Sequence, residues 1–303
     1  MIVDAHAHVF RPASVLERAT DALAPAEREA PIEDLLAVMR AAGVERAVLV
    51  PLGSEDAYVA EVLAEHPERF AAVAVADRAV QGRVADVSPV AALERRRAGF
   101  PFHALRTQWL GDPSRPLADS PMLPVLERLA AEGLLLWTYL TPDQRPLLEH
   151  LPAAVPDLRI VLNHLGFFPH DMRVDAHGRP AFDDPFPAEH VESVLRLARH
   201  PSVYLMFSGQ YALSGEGPPY SDLDPLVRRL ADAFGGERML WASDYPWTRD
   251  VPGYATLLEL AAASLPNAST AELQAIHGGT ALRLFSHLRP HQEAHVDHAG
   301  RQR

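Results

Sequence analysis

The chain has 303 residues, 48% apolar and 22% charged, enough to bury a large core and typical of a globular protein. Its formal net charge of −12 excludes a generally basic nucleic-acid-binding surface, and the absence of cysteine excludes disulfides, thiol nucleophiles and thiolate metal sites. All 28 basic residues are arginine, so Schiff-base chemistry on lysine and a carbamylated lysine bridging two metals are excluded as well.

The first strand spans Ile2 to Phe10 and carries Asp4-Ala5-His6-Ala7-His8. Strict alternation would aim Asp4, His6 and His8 from one face and Val3, Ala5, Ala7 and Val9 from the other. Two imidazoles at that spacing suit a metal ion or a polarised carbonyl oxygen. The plainer reading is two half-buried histidines bonded to each other or to backbone. A strand opening at Ile2 leaves no room for a signal peptide, and no apolar run nears the roughly 20 residues of a membrane span. A cytoplasmic protein with no membrane contact is expected.

Pro31 to Gly43 reads as a helix, with Leu35, Leu36 and Met39 at helical spacing and Gly43 as its stop; Val44 to Val50 follows as a strand. Residues 55–66 are helical, Phe70 to Ala76 is a buried strand, 88–99 a helix and Phe102 to Trp109 the fourth strand. Pro121 to Gly133 is a helix leading into strand five, Leu134 to Leu140, and the helix of 143–154 feeds strand six, Arg159 to His164. After a long loop, the helix of 187–199 feeds strand seven, Val203 to Ser208, and that of 222–234 feeds strand eight, Met239 to Asp244. Helices over 254–264 and 270–287 follow.

Eight strands alternating with helices predict a parallel sheet, and at this length a closed (β/α)8 TIM barrel over residues 1–288. No Gly-x-Gly-x-x-Gly follows the first strand, which argues against an open dinucleotide-binding sheet. Residues 289–303, polar and bearing His291, His295 and His298, read as a disordered tail. A closed barrel gathers the carboxyl ends of its strands around one mouth. There the sequence places His6 and His8, Arg106 and Gln108, Tyr139, His164, Ser208 and Asp244, on strands one, four, five, six, seven and eight. An apolar strand has no packing reason to end in a buried histidine or aspartate.

With these motifs in place, residues 1–287 resemble the amidohydrolase superfamily, in its amidohydrolase-related branch. The resemblance rests on Asp4-Ala5-His6-Ala7-His8, on Ile160 to Gly166, on Arg238 to Pro246, and on the closing Ile276 to Phe285, where Thr280 stands in place of the usual asparagine. It implies that His6, His8 and Asp244 occupy the positions that hold a divalent metal in most members, that His164 matches the family's strand-six histidine, and that Asp244 takes a proton from the attacking water. Two departures narrow this. Arg106 is the basic residue available on strand four, where two-metal members carry a lysine, and strand five ends Trp137-Thr138-Tyr139 without the histidine of many members. That pattern is similar to the lactonase group, comprising 2-pyrone-4,6-dicarboxylate lactonase and the L-fucono- and L-rhamnono-lactonases, the first of which needs no metal.

The expectation is a hydrolase that opens a lactone or related carbonyl substrate bearing a carboxylate. Asp244 and His164 are its catalytic residues, and Arg106, Tyr139 and Ser208 its substrate contacts. The metal set is His6, His8, His164 and Asp244, holding one divalent ion (zinc before manganese) or none. Asp4 would orient a histidine, Gly166 to Pro185 would form a lid, and Trp109, Phe167, Tyr211 and Trp247 could line an apolar wall. The alternatives are a mononuclear metal-dependent decarboxylase or hydratase of the same branch and a non-catalytic binding protein on this scaffold. The expected partner is a small molecule, with no nucleic acid, and the oligomeric state stays open, a homodimer included.

Overall fold

The structure, a computed structural model, describes residues 1–290; the tail expected from 291 onward lies outside the described residues. Six strands come first: β1 (Val3–Ala7), β2 (Arg46–Leu49), β3 (Phe70–Val75), β4 (Ala104–Thr107), β5 (Leu135–Thr138) and β6 (Arg159–Leu162). A small antiparallel hairpin follows, β7 (Arg173–Val174) and β8 (Pro180–Ala181), then β9 (Val203–Phe207) and β10 (Met239–Trp241). The eight long strands are parallel neighbours in the order β1-β2-β3-β4-β5-β6-β9-β10. The ring closes just beyond β10, where Asp244 N–H donates to the His6 carbonyl at 2.9 Å and His8 N–H to the Tyr245 carbonyl at 2.7 Å. The expected (β/α)8 barrel is the fold.

Outside the strands lie α1 (Ile32–Ala42), α2 (Ala57–Glu65), α3 (Pro89–Gly99), α4 (Leu123–Ala131), α5 (Arg145–Ala154), α6 (Ala188–Leu197), the one-turn α7 (Gln210–Leu213), α8 (Asp224–Phe234) and α9 (Thr256–Ser264). Each long helix turns an apolar stripe to the sheet; α8 buries Val227, Leu230 and Phe234 and leaves its arginines outside. Gly43 ends α1 in the left-handed region at φ 71°, as its place in the sequence predicts. The barrel interior is filled by Val3, Ala5, Val48, Val73, Leu135, Trp137, Val161, Met206 and Leu240, among others, and is plugged by Leu284, Phe285 and Leu288. No helix among the described residues is long and apolar enough to cross a membrane.

Two expectations change. The first strand does not keep one alternation: Val3 and Ala5 belong to the interior core, whereas Ala7 and Val9 belong to the outer one. The pairing of β1 with β2 shifts register between Asp4 and Ala7, and a bulge of this kind reverses which face the following residues occupy. The helix expected over 270–287 is broken into Thr270–Gln274, a wide turn at Ala275–Gly279, and Thr280–Leu284. Gly278 is pressed against the chain start, where a Cβ would lie 2.5 Å from the Met1 carbonyl oxygen.

Candidate active site

At the mouth of the barrel Asp244 meets three imidazoles. Its Oδ1 lies 3.7 Å from His6 Nε2 and 3.5 Å from His8 Nε2, and its Oδ2 lies 3.8 Å from His164 Nε2. The Tyr211 hydroxyl donates to Oδ2 at 2.6 Å, so Oδ1 is the oxygen turned to the histidine pair. His164 and Asp244 both have positive φ, 44° and 58°, a conformation costly for residues with a Cβ. Strain of this kind persists where the surroundings over-determine it. It is also why β10 ends at Trp241 and not, as expected, at Asp244. Gly209 (φ 84°) lets the chain pass His164 closely, since a Cβ there would stand 2.8 Å from the His164 Cβ.

The far side of each imidazole is also engaged. His6 Nδ1 receives the indole N–H of Trp137 at 3.0 Å, His8 Nδ1 lies 2.7 Å from the Val50 carbonyl oxygen, and His164 Nδ1 lies 2.9 Å from Ser208 Oγ. Burial holds His6 well below its ordinary pKa, with His8 adding to the effect; burial likewise lowers His164, against the pull of Asp244. Both rings are therefore neutral at neutral pH. Burial alone would raise Asp244, but the imidazoles, His164 foremost, hold it well below the usual carboxylate range, so it is ionised.

These groups open on a cavity of about 290 Å³ lined by His8, His164, Asp244, Arg106, Gln108, Tyr139 and Trp247. Arg106 lies over the Tyr139 ring, 4.4 Å from its centroid, and its Nε is buried without a hydrogen-bond partner. Burial lowers its pKa, while Tyr139 and Asp244 oppose that shift. Tyr139 is pushed up to about 12 by burial, so it remains a neutral phenol.

His6 Nε2, His8 Nε2 and Asp244 Oδ1 form a candidate ion site, their atoms all within 4.8 Å of one another; His164 stands outside that group. The spacing matches the roughly 3.3 Å between ligands that each sit about 2.0–2.1 Å from a tetrahedral zinc. The proton on His6 does not match. An imidazole whose Nδ1 accepts from an indole carries its proton on Nε2, where the ion would bind. The residues as they stand do not fit an ion held by both histidines.

Other predicted residues fall differently. Ser208 is buried behind His164 and does not line the cavity. Asp4 does not orient an imidazole: it accepts the backbone N–H groups of His6 and Ser243, the Ser243 hydroxyl and the Tyr254 hydroxyl, fastening β1 to the end of β10. Of the four aromatic residues read as a wall, Trp247 lines the cavity, whereas Tyr211 holds Asp244. The expected lid contributes Met172 and Pro180, but the segment after β1 contributes Ala19, Asp21, Leu23 and Ala24, which nothing in its composition announces. Trp137 carries no sequence signal for its role, because an aromatic in an apolar run reads as core, and Tyr211, expected as part of an apolar wall, acts instead through its hydroxyl.

A (β/α)8 barrel with histidines and an aspartate at its strand ends defines a hydrolase class, and the chain belongs to the amidohydrolase family, whose model matches residues 3–286. It is 29% identical over 257 residues to an L-fucono-1,5-lactonase from Burkholderia ambifaria, covering 82% of this chain and 81% of that protein. Among solved structures it is similar to a putative 2-pyrone-4,6-dicarboxylic acid hydrolase from Pseudomonas putida, with TM-score 0.71, 24% identity and 95% and 98% of the two chains covered. It is also similar to an amidohydrolase from Burkholderia multivorans with bound zinc, with TM-score 0.72, 22% identity and 94% and 99% covered.

Proposed function

We propose that this protein hydrolyses a lactone bearing a carboxylate, with Asp244 as the general base. The observation that carries the reading is one cavity holding an ionised carboxylate, Asp244, and a guanidinium with no ion-pair partner among the described residues, Arg106. Water beside Asp244 Oδ1 gives up a proton as its oxygen bonds to the substrate carbonyl carbon. The carbonyl oxygen gains charge and is met at the barrel mouth by an imidazole N–H held in place by the hydrogen bond behind its ring. The ring C–O bond then breaks, and the proton held by Asp244 passes to the leaving alkoxide. Arg106 grips the carboxylate with its planar fork, and Tyr139 supplies a phenol donor.

The lactonase activity of the Burkholderia ambifaria relative supports the reaction class. A metal-dependent decarboxylase or hydratase is supported less, because strand five offers no acid-base histidine. The test is Asp244→Asn. Its amide can still accept from Tyr211, so the fold should survive, and kcat on a lactone panel should fall about 10²- to 10⁴-fold. Turnover within tenfold of the wild type would overturn the reading.

A further inference from the structure

The His6–His8 pair has the spacing of a metal site and the proton arrangement of a hydrogen-bond donor. We infer that Trp137 sets that arrangement, holding His6 with its proton on Nε2, so that the position an ion would take between His6 and His8 meets an N–H and not a lone pair.

An indole N–H can only donate. Trp137 Nε1 lies 3.0 Å from His6 Nδ1, and the two rings are inclined by 17° with centroids 6.3 Å apart. That is an edge-to-edge contact, with the N–H entering along the in-plane lone pair. His6 Nδ1 is therefore bare and the proton of the neutral ring is on Nε2. At the other end, His8 Nδ1 lies 2.7 Å from the Val50 carbonyl oxygen, which can only accept. His8 thus carries its proton on Nδ1 and is bare on Nε2. The two Nε2 atoms, 3.1 Å apart, then meet as donor and acceptor. With a donor-only group at one end and an acceptor-only group at the other, neutral rings have a single solution. Reversing it sets two N–H groups head to head at Trp137 and two lone pairs head to head at Val50.

A histidine that ligates through Nε2 gives its Nδ1–H to an acceptor. His8 has that arrangement and His6 has the reverse. Trp137 is fully buried in the barrel interior, so the indole has no freedom to turn aside. His6 Nε2–H donates to His8 Nε2 at 3.1 Å and stands 3.7 Å from Asp244 Oδ1, so the oxygen of a substrate carbonyl or of the attacking water would share that N–H with His8. That catalytic use rests on the lactone reading above; the placement of the protons does not. Trp137 acts through His6 and is a positioning residue.

Long-range ¹H–¹⁵N correlation on histidine-labelled wild-type protein near neutral pH reads the placement directly, with a His6→Gln variant to assign the signals. His6 is expected to be protonated on Nε2 and bare on Nδ1. Trp137→Phe keeps an aromatic ring and removes the N–H. In that variant the His6 signals should move toward the opposite tautomer, and zinc binding to metal-stripped protein, measured by calorimetry, should tighten about tenfold or more. On whichever lactone the wild type opens, kcat should fall with KM unchanged within about twofold. A His6 proton on Nδ1 in the wild type overturns the inference, as does zinc affinity in a folded Trp137→Phe that is no tighter than wild type. If the variant does not fold, the wild-type spectrum decides alone. If no lactone is turned over, the functional reading fails separately, and the spectrum and the zinc titration still decide this one.

Discussion

Replacing Arg106 with methionine should move stability and catalysis in opposite directions. The guanidinium is buried, its Nε has no hydrogen-bond partner, and it is favoured by the Tyr139 ring at 4.4 Å and by the charge of Asp244, with which it forms no ion pair. A cation–π contact recovers about 1–2 kcal/mol, less than the several kcal/mol that a buried charge loses on leaving water. Arg106→Met, similar in length and uncharged, should therefore leave stability unchanged or raise it by up to about 3 kcal/mol in urea unfolding. A substrate carboxylate is what would repay the charge. Losing that buried, hydrogen-bonded pair costs about 2–4 kcal/mol, so kcat/KM for a carboxylate-bearing lactone should fall roughly 30- to 1,000-fold. For a neutral sugar lactone the loss should stay within about fivefold, because no pair is broken. Equal losses on both substrates, or a variant destabilised by more than about 2 kcal/mol, would refute the assignment of Arg106 as a carboxylate anchor.

Three further substitutions probe the groups behind the site. Tyr211→Phe removes the 2.6 Å hydrogen bond that pins Asp244 Oδ2; a bond to a charged group is worth about 1.5–3 kcal/mol, so kcat should drop about tenfold or more, and unchanged turnover would deny Tyr211 that role. Gly209→Ala places a Cβ 2.8 Å from His164 at a positive φ, which should cost about 1–3 kcal/mol in thermal unfolding and reduce activity in the fraction that stays folded. Asp4 is raised to about 6 by burial, against the hydrogen bonds of Ser243, Tyr254 and His6. Its folded pKa exceeds the unfolded value near 3.9, so its contribution to stability is fully present below about pH 4 and is lost as pH rises through 6. Measured against Asp4→Asn, the wild type should lose about 2 kcal/mol between pH 4.5 and 7.5, and a difference that is flat with pH would contradict this.

The barrel and the polar residues gathered at its mouth were legible because both are written locally. Alternating strands and helices, Gly43 as a stop signal, and polar residues at the ends of apolar strands all follow from short-range pattern. What did not follow depends on register and on partners far away in the chain. The slip in β1 reverses the facing of the residues beyond it, and no alternation rule applied to Ile2 to Phe10 reveals it. In sequence Ser208 and Asp4 look like side chains aimed at a substrate and at an imidazole, yet each is used up by a neighbour that only the closed barrel supplies. Trp137, core-like in sequence, and Tyr211, expected as an apolar wall, are the reverse case, engaged with His6 and Asp244 through one polar atom each.

The hydrogen bonds that close the barrel pass through the residues of the site. Ser243 N–H reaches Asp4 at 2.9 Å across 239 positions of sequence, and the adjacent Asp244 N–H reaches the His6 carbonyl. Few contacts in the molecule enclose a longer loop, and long loops are slow to close during folding. A chain with seven strands in place would have its histidines and no carboxylate beside them. Turnover regained on refolding would therefore lag behind helix content and time the joining of the two ends of the sheet. The enzyme would serve as its own reporter of when its longest contact forms.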